Sequence, residues 1–363
     1  MLGKRRPQKE RASKAVKAQS ISIHSNLSAA LPAFLRKENL HDRETGDAVG
    51  SLVTLLSNYR EEGRRLFPEV FFFNDIANTL QTLPNSEQVV IGTGPKTSAT
   101  LDVAMKRCAP LAQWGWSIYV MRTRTQFEYG LIRCGLTALS LTAFELLIEE
   151  GDESLPAIGI RHISQHEIEV SGACKNRLRI HFGRVRRSDD DPVLIGARFC
   201  RSIVTRVPSE VREQVHNFYR RILGGVLKSG HGCLAIVLRS RPGERRLPSK
   251  FRDGVVIEPP IDISKKVATL LKGNNCESDV RLRATAALIR GMLSSDGITV
   301  FGSDGSVRAY NVFIKNPIRA TGNAPGSGGA RHRAYASLCS WVGYDIDSAF
   351  FLSQDGQAEF LGS

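Results

Sequence analysis

The residues best suited to chemistry lie in two short stretches of the last third of the chain. The first is "GGARHRAYASL", where Gly329 and Ala330 run into Arg331, His332 and Arg333 at the predicted start of a helix. A helix N-terminus already carries partial positive charge, so two more cations are unwelcome there unless an anion offsets them. Phosphate is the anion that glycine-rich backbone and paired arginines recognise best. The second stretch is "SSDGITVF". Asp-Gly pairs begin at Asp253, Asp296, Asp304 and Asp355, and such a pair ordinarily marks a turn. Asp304 and Asp355 stand between predicted strands and fit that reading. Asp296 stands between a long predicted helix and a short apolar strand, where a hairpin turn has no place. A carboxylate at the head of a core strand, beside Gly297 that lets a ligand approach, suits a metal ligand or a base.

The elements that must position these residues follow from periodicity. From Ser209 a helix runs through "SEVREQVHNFYRRILGGVLK", with Val211, Val215, Phe218, Ile222 and Val226 on one face. Strands are predicted at 233–238, 254–258, 298–301 and 307–314, helices at 263–272, 278–293 and from about 331 to 342. A closing hairpin turns at Asp355-Gly356. This is an α/β unit with a mixed sheet flanked by helices. Ahead of it, "QVVIG" (88–92) reads as a buried strand, 97–112 as a helix, 117–121 as a second strand and 126–149 as a long helix. That order predicts a βαβ unit with a parallel sheet. Residues 157–205 look β-like, including "RSIVTRV", with "VRRSDDDP" (185–192) as a charged loop. The expected division is a basic tail at 1–20, an α/β domain at 21–207 and a second domain at 208–363.

The Asp-Gly and Arg-His-Arg motifs, in this order and at this distance, resemble the diadenylate cyclase (DAC) family. That family carries Asp-Gly-Ala opening a strand, Gly-Thr-Arg-His-Arg opening a helix, and a Ser at the end of the next strand. "SGHGCLAIVL" and "DGVVIEPPIDI" resemble its first strands, and the likeness covers roughly 210–363. It implies condensation of two ATP molecules into cyclic di-AMP, a bacterial second messenger. It also implies Asp296 as ligand of Mg²⁺ or Mn²⁺ or as the group activating the 3′-hydroxyl, with Gly297 keeping the approach open. Gly329, Ala330, Arg331, His332 and Arg333 would then cradle the triphosphate, with Ser353 touching phosphate from the other side. Two domains must meet face to face, so a homodimer or larger assembly is implied. Ile298 stands where the family has Ala, and Ala330 where it has Thr, which removes a hydroxyl contact worth about 1 kcal/mol. The arrangement also resembles sensor-linked members, so 21–207 is expected to regulate the cyclase in answer to an unidentified ligand.

Composition sets the outer bounds. At 363 residues, 42% hydrophobic and 24% charged, the chain is globular and long enough for two domains. Residues 1–20 hold seven Lys/Arg against Glu10 and supply six of the fourteen net positive charges. The tail reads as a solvated, disordered arm, with binding to nucleic acid or to a membrane surface as alternative roles. The seven cysteines include no C-x-x-C pair, so neither a disulfide framework nor a zinc knuckle is expected. No signal peptide or membrane span is visible, and a cytoplasmic location is expected. "GTGPKTSAT" (92–100) invites a P-loop reading, but Pro95 stands where the motif needs Gly. His162 and His166 lack a third ligand and read as ordinary surface or edge histidines. Besides the enzyme, the alternatives are a non-catalytic nucleotide-binding module and a nucleic-acid-binding protein using the basic tail.

Overall fold

The computed structural model describes residues 19–22, 27–81, 83–113, 115–135, 137–182, 191–239, 247–273, 276–315 and 329–362. Most of the basic tail, most of the charged loop at 185–192 and all of 316–328 lie outside them. The first half contains β1 (Gln19–Ser22), α1 (Leu27–Lys37), α2 (Arg43–Ser57), β2 (Arg60–Glu61), β3 (Arg64–Arg65), β4 (Val70–Phe73) and α3 (Ile76–Gln81). It continues with β5 (Glu87–Pro95), α4 (Ser98–Cys108), β6 (Trp116–Arg122), β7 (Gln126–Arg133), a π turn at Glu145–Glu149, β8 (Ala157–Ser164), β9 (Glu167–Gly172) and β10 (Arg177–His181). The mixed sheet runs β1-β10-β9-β8-β4-β6-β7-β5. Its centre shows why both faces are covered. In the run VFFF of β4, Val70 and Phe72 pack towards α1, α2 and α4, while Phe71 and Phe73 pack towards Phe144 and the π turn.

The second half contains α5 (Pro192–Ile203), α6 (Ser209–Ser229), β11 (Cys233–Leu238), β12 (Phe251–Arg252), β13 (Val255–Asp262), α7 (Ile263–Gly273) and α8 (Cys276–Leu293). Then follow β14 (Ile298–Gly302), β15 (Ser306–Ile314), α9 (Ala330–Cys339), β16 (Ile346–Leu352) and β17 (Ala358–Gly362). The sheet order is β12-β15-β14-β11-β16-β17, with β13 also on β15. In β11, Cys233, Ala235 and Val237 face the core of α5 to α8, and Leu234, Ile236 and Leu238 face the core under α9. A strand buried on both sides needs an unbroken apolar run, and CLAIVL is one. The chain is thus mixed α/β, with two multistranded mixed sheets and helices packed on them.

Several expectations change. Residues 126–149 are not one helix: β7 occupies 126–133 and pairs antiparallel with both β5 and β6. Phe127, Tyr129 and Leu131 alternate into one core and Ile132 into the other, so apolar residues on both strand faces resembled a helical stripe. β5 is an edge strand with Val89 and Val90 exposed, and it does not pair with β6, so no parallel βαβ pair forms there. The run read as the strand "RSIVTRV" is no strand: 201–203 end α5 and 204–207 form a turn. Asp191 caps that helix, accepting from the amides of Val193 and Leu194, and Pro192 opens it. Ile195, Phe199 and Ile203 of α5 pack in the same core as α6, so the second core begins ahead of position 207.

The halves meet along α6 and α8. Arg221 donates to Ala138 O at 2.9 Å and to Glu145 at 2.8 Å, and Asp279 accepts the Ala138 amide. All seven cysteines are free thiols. Among the described residues no helix is long and apolar enough to cross a membrane.

Candidate functional site

Strand register builds the site. β11 pairs parallel with β14, Leu234 opposite Ile298, and antiparallel with β16, Cys233 opposite Leu352. Continued one or two residues past the strand ends, the same register puts Gly232 between Asp296 on one side and Ser353 on the other. The site therefore lies at the N-terminal ends of the parallel strands. The usual ligand crevice of open α/β sheets is at the opposite ends.

Asp296 projects from the turn between α8 and β14, its side chain 93% exposed. The turn is pinned by Ser295 Oγ and Thr299 Oγ1, both donating to Met292 O at 2.7 and 3.0 Å. Gly297 has a packing role. A Cβ there would lie 2.4 Å from the carbonyl carbon of Asn311, because the backbone of β15 crosses at that point. Asn311 itself adopts φ +53°, where β14 and β15 slip register.

The helix α9 supplies the cations. Gly329 is its N-cap, without a side-chain cap, and its carbonyl accepts from the amides of His332 and Arg333. Among the described residues, the amides of Ala330 and Arg331 have no backbone acceptor. Tyr335 and Phe351 stack at 5.6 Å and seat the helix on β16. Burial holds the Tyr335 hydroxyl protonated well above the ordinary range. Arg331 reaches back over Gly232, and its Nη2 donates to Asp296 Oδ1 at 2.9 Å. The buried Cys233 thiol beneath is pushed up to about 12 by burial, with the charge of Arg331 pulling the other way, so it stays an inert thiol. His332 lies edge-on to Phe351, its Nε2 3.4 Å from Glu359 on β17, while Arg333 is exposed.

Ser353 closes the β16–β17 hairpin. Its Oγ accepts the Gln357 amide at 2.8 Å, and Gly356 takes the left-handed conformation at φ +74°. A hydroxyl that accepts in this way keeps its own proton to donate. The structure therefore brings Asp296, Arg331 and Ser353 to one end of the sheet, with Gly329, Ala330, His332 and Arg333 on the helix start beside them. Gly232 and Glu359 join the group, though their types carried no chemistry in the sequence. A Cβ on Gly232 would lie 2.8 Å from Arg331 Nη1 and 3.0 Å from Leu352 O. Gly232→Ala should displace the guanidinium while the fold survives. If Arg331 binds a ligand phosphate, affinity falls on the order of tenfold, and the loss disappears in an Arg331→Ala background, which calorimetry can read.

Among the described residues no group of three His, Cys, Asp or Glu side chains could hold a metal ion. Asp296 offers one carboxylate, which suits only an ion that takes its remaining oxygens from water and a phosphate ligand, as Mg²⁺ and Mn²⁺ do. Cavities of about 1010 Å³ between α1 and α2, 310 Å³ between the halves and 500 Å³ beside α7 and α8 all lie away from Asp296. The loop at 92–100 offers no phosphate cradle. β5 runs through Pro95, Lys96 pairs with Glu44 at 3.2 Å, and a Cβ at Gly94 would strike Thr100. His162 is a buried structural residue rather than a surface one, bonded through Nε2 to Leu56 O at 2.9 Å. No family model, curated protein or solved structure matches the chain.

Proposed function

We propose that the chain is a diadenylate cyclase, a nucleotidyltransferase that joins two ATP molecules into cyclic di-AMP and releases two pyrophosphates. The 3′-oxygen of each nucleotide attacks the α-phosphorus of the other. The bond from that phosphorus to the pyrophosphate oxygen breaks, and the hydroxyl proton passes to a base or to water. The observation that carries this reading is the 2.9 Å contact between Arg331 and Asp296, 35 positions apart. It joins a phosphate-type motif to a carboxylate at the head of a core strand, which neither motif alone would require.

In this reading Arg331, Arg333 and the first amides of α9 hold the triphosphate, where helix dipole and guanidinium charge act together. The Ser353 hydroxyl donates from the far side of Gly232. His332, set against Phe351 and Glu359, lines the same edge. Asp296 orients the 3′-hydroxyl and is the protein ligand of the ion. Mg²⁺ or Mn²⁺, when bound, neutralises phosphate charge and favours in-line attack. One site holds one ATP, so two protomers meet with their sites facing, in a homodimer or larger assembly. The half carrying the second sheet is then the DAC domain and the first half its regulatory domain, joined through Arg221, Asp279 and the loop 137–145. Incubation of the full chain with ATP and either metal, followed by mass analysis, should yield cyclic di-AMP. Absence of any cyclic dinucleotide with both metals, from folded protein, overturns the reading.

A further inference from the structure

Among the described residues, Arg331 and Asp296 bond through their side chains only to each other. Each has a different duty in the proposed reaction, one towards phosphate and one towards the metal ion and the 3′-hydroxyl. The duties conflict with the pairing. A doubly charged cation on the Asp296 carboxylate repels a guanidinium bonded to the same group, so each weakens the other's hold there. A guanidinium bonded to Asp296 likewise presents fewer donors to a phosphate.

We infer that Arg331 is a latch on the metal position, which the incoming triphosphate opens. This rests on the cyclase reading. The register supplies the path: Arg331 lies over Gly232, midway between Asp296 and Ser353. With no Cβ at 232, a small side-chain rotation carries the guanidinium from the Asp296 side towards the Ser353 side. The helix start and the Ser353 hydroxyl hold the phosphates on that side. Asp296, almost wholly exposed, then faces the metal ion and the 3′-hydroxyl with both oxygens. Nucleotide and metal therefore bind with positive coupling, and the carboxylate becomes more available when there is a nucleotide to act on.

The test is a double-mutant cycle on ATP affinity in EDTA, where no turnover occurs, read by calorimetry on the full chain. The four proteins are wild type, Asp296→Ala, Arg331→Ala and the double variant, each checked for an unchanged circular dichroism spectrum. A latch predicts that Asp296→Ala tightens metal-free ATP binding by roughly two- to fivefold more when Arg331 is present than when it is absent. With excess Mg²⁺ the sign reverses, and Asp296→Ala weakens binding. Plain repulsion between Asp296 and the phosphates predicts the same factor in both backgrounds, which would overturn the latch while leaving the cyclase intact. Wild-type protein that binds no ATP with or without metal overturns the cyclase reading and the latch with it.

Discussion

Asp296→Asn should abolish cyclic di-AMP formation, lowering kcat by about a thousandfold or more while the unfolding midpoint stays where it was. The two halves of this expectation have separate grounds. The stability half follows from exposure: the side chain is 93% exposed and its bond is to Arg331 at the surface, so folding gains little from it. The catalytic half follows from isolation. Among the described residues no group of three His, Cys, Asp or Glu side chains forms a metal-holding cluster around Asp296, so no ready-made set of ligands would take over. In the proposed cyclase reaction, loss of the charge would remove the hold on the ion and the orientation of the attacking hydroxyl together, each worth orders of magnitude. ATP affinity should fall far less than kcat, because Arg331, Arg333 and the α9 amides remain. Single-turnover kinetics with mass analysis reads the split. A variant within tenfold of wild-type kcat would remove Asp296 from the chemistry.

The legible parts of the fold were those where one physical signal dominated. α6 carries its apolar stripe at a clean helical period, and the β16–β17 hairpin is marked by Asp355-Gly356, whose glycine occupies the left-handed region. β7 was hidden because it feeds two cores at once, so its period of two is overwritten. α5 was hidden because its cap, Asp191-Pro192, sits at the end of an acidic run that reads as a loop. At the site, Ser353 came only from the family resemblance, and residue type and spacing pointed to Asp296 and Arg331. Gly232 could not be found that way, since its place depends on how β11 registers against β14 and β16, a long-range property. Gly297 has a packing reason that its type did not reveal: the backbone of β15 passes where a Cβ would stand.

Acid should destabilise the first half through one histidine. His162 on β8 is buried between Phe67 and Phe182, and Nε2 donates to Leu56 O, tying the end of α2 to the sheet. Burial lowers its pKa from 6.5 to about 4; the bonds to Leu56 and Ser164 oppose this, and the charges of Arg65 and Lys228 assist it. The native state therefore holds a neutral ring where the unfolded chain takes up a proton. The sign follows directly: this contribution is fully present above pH 6.5 and is lost as pH falls from 6.5 towards 4, because the unfolded state binds more protons. The loss amounts to about 3 kcal/mol by pH 4. Carboxylates titrate over part of the same range, so the measurement is a difference. Urea unfolding at pH 7 and pH 4 should show wild type losing about 3 kcal/mol more than His162→Gln, which keeps a donor for Leu56 O but has no proton to gain. Equal losses in the two proteins would mean that the ring is protonated in the fold, and that Leu56 O and the carbonyl of Ser164, 3.3 Å from Nδ1, both accept from an imidazolium.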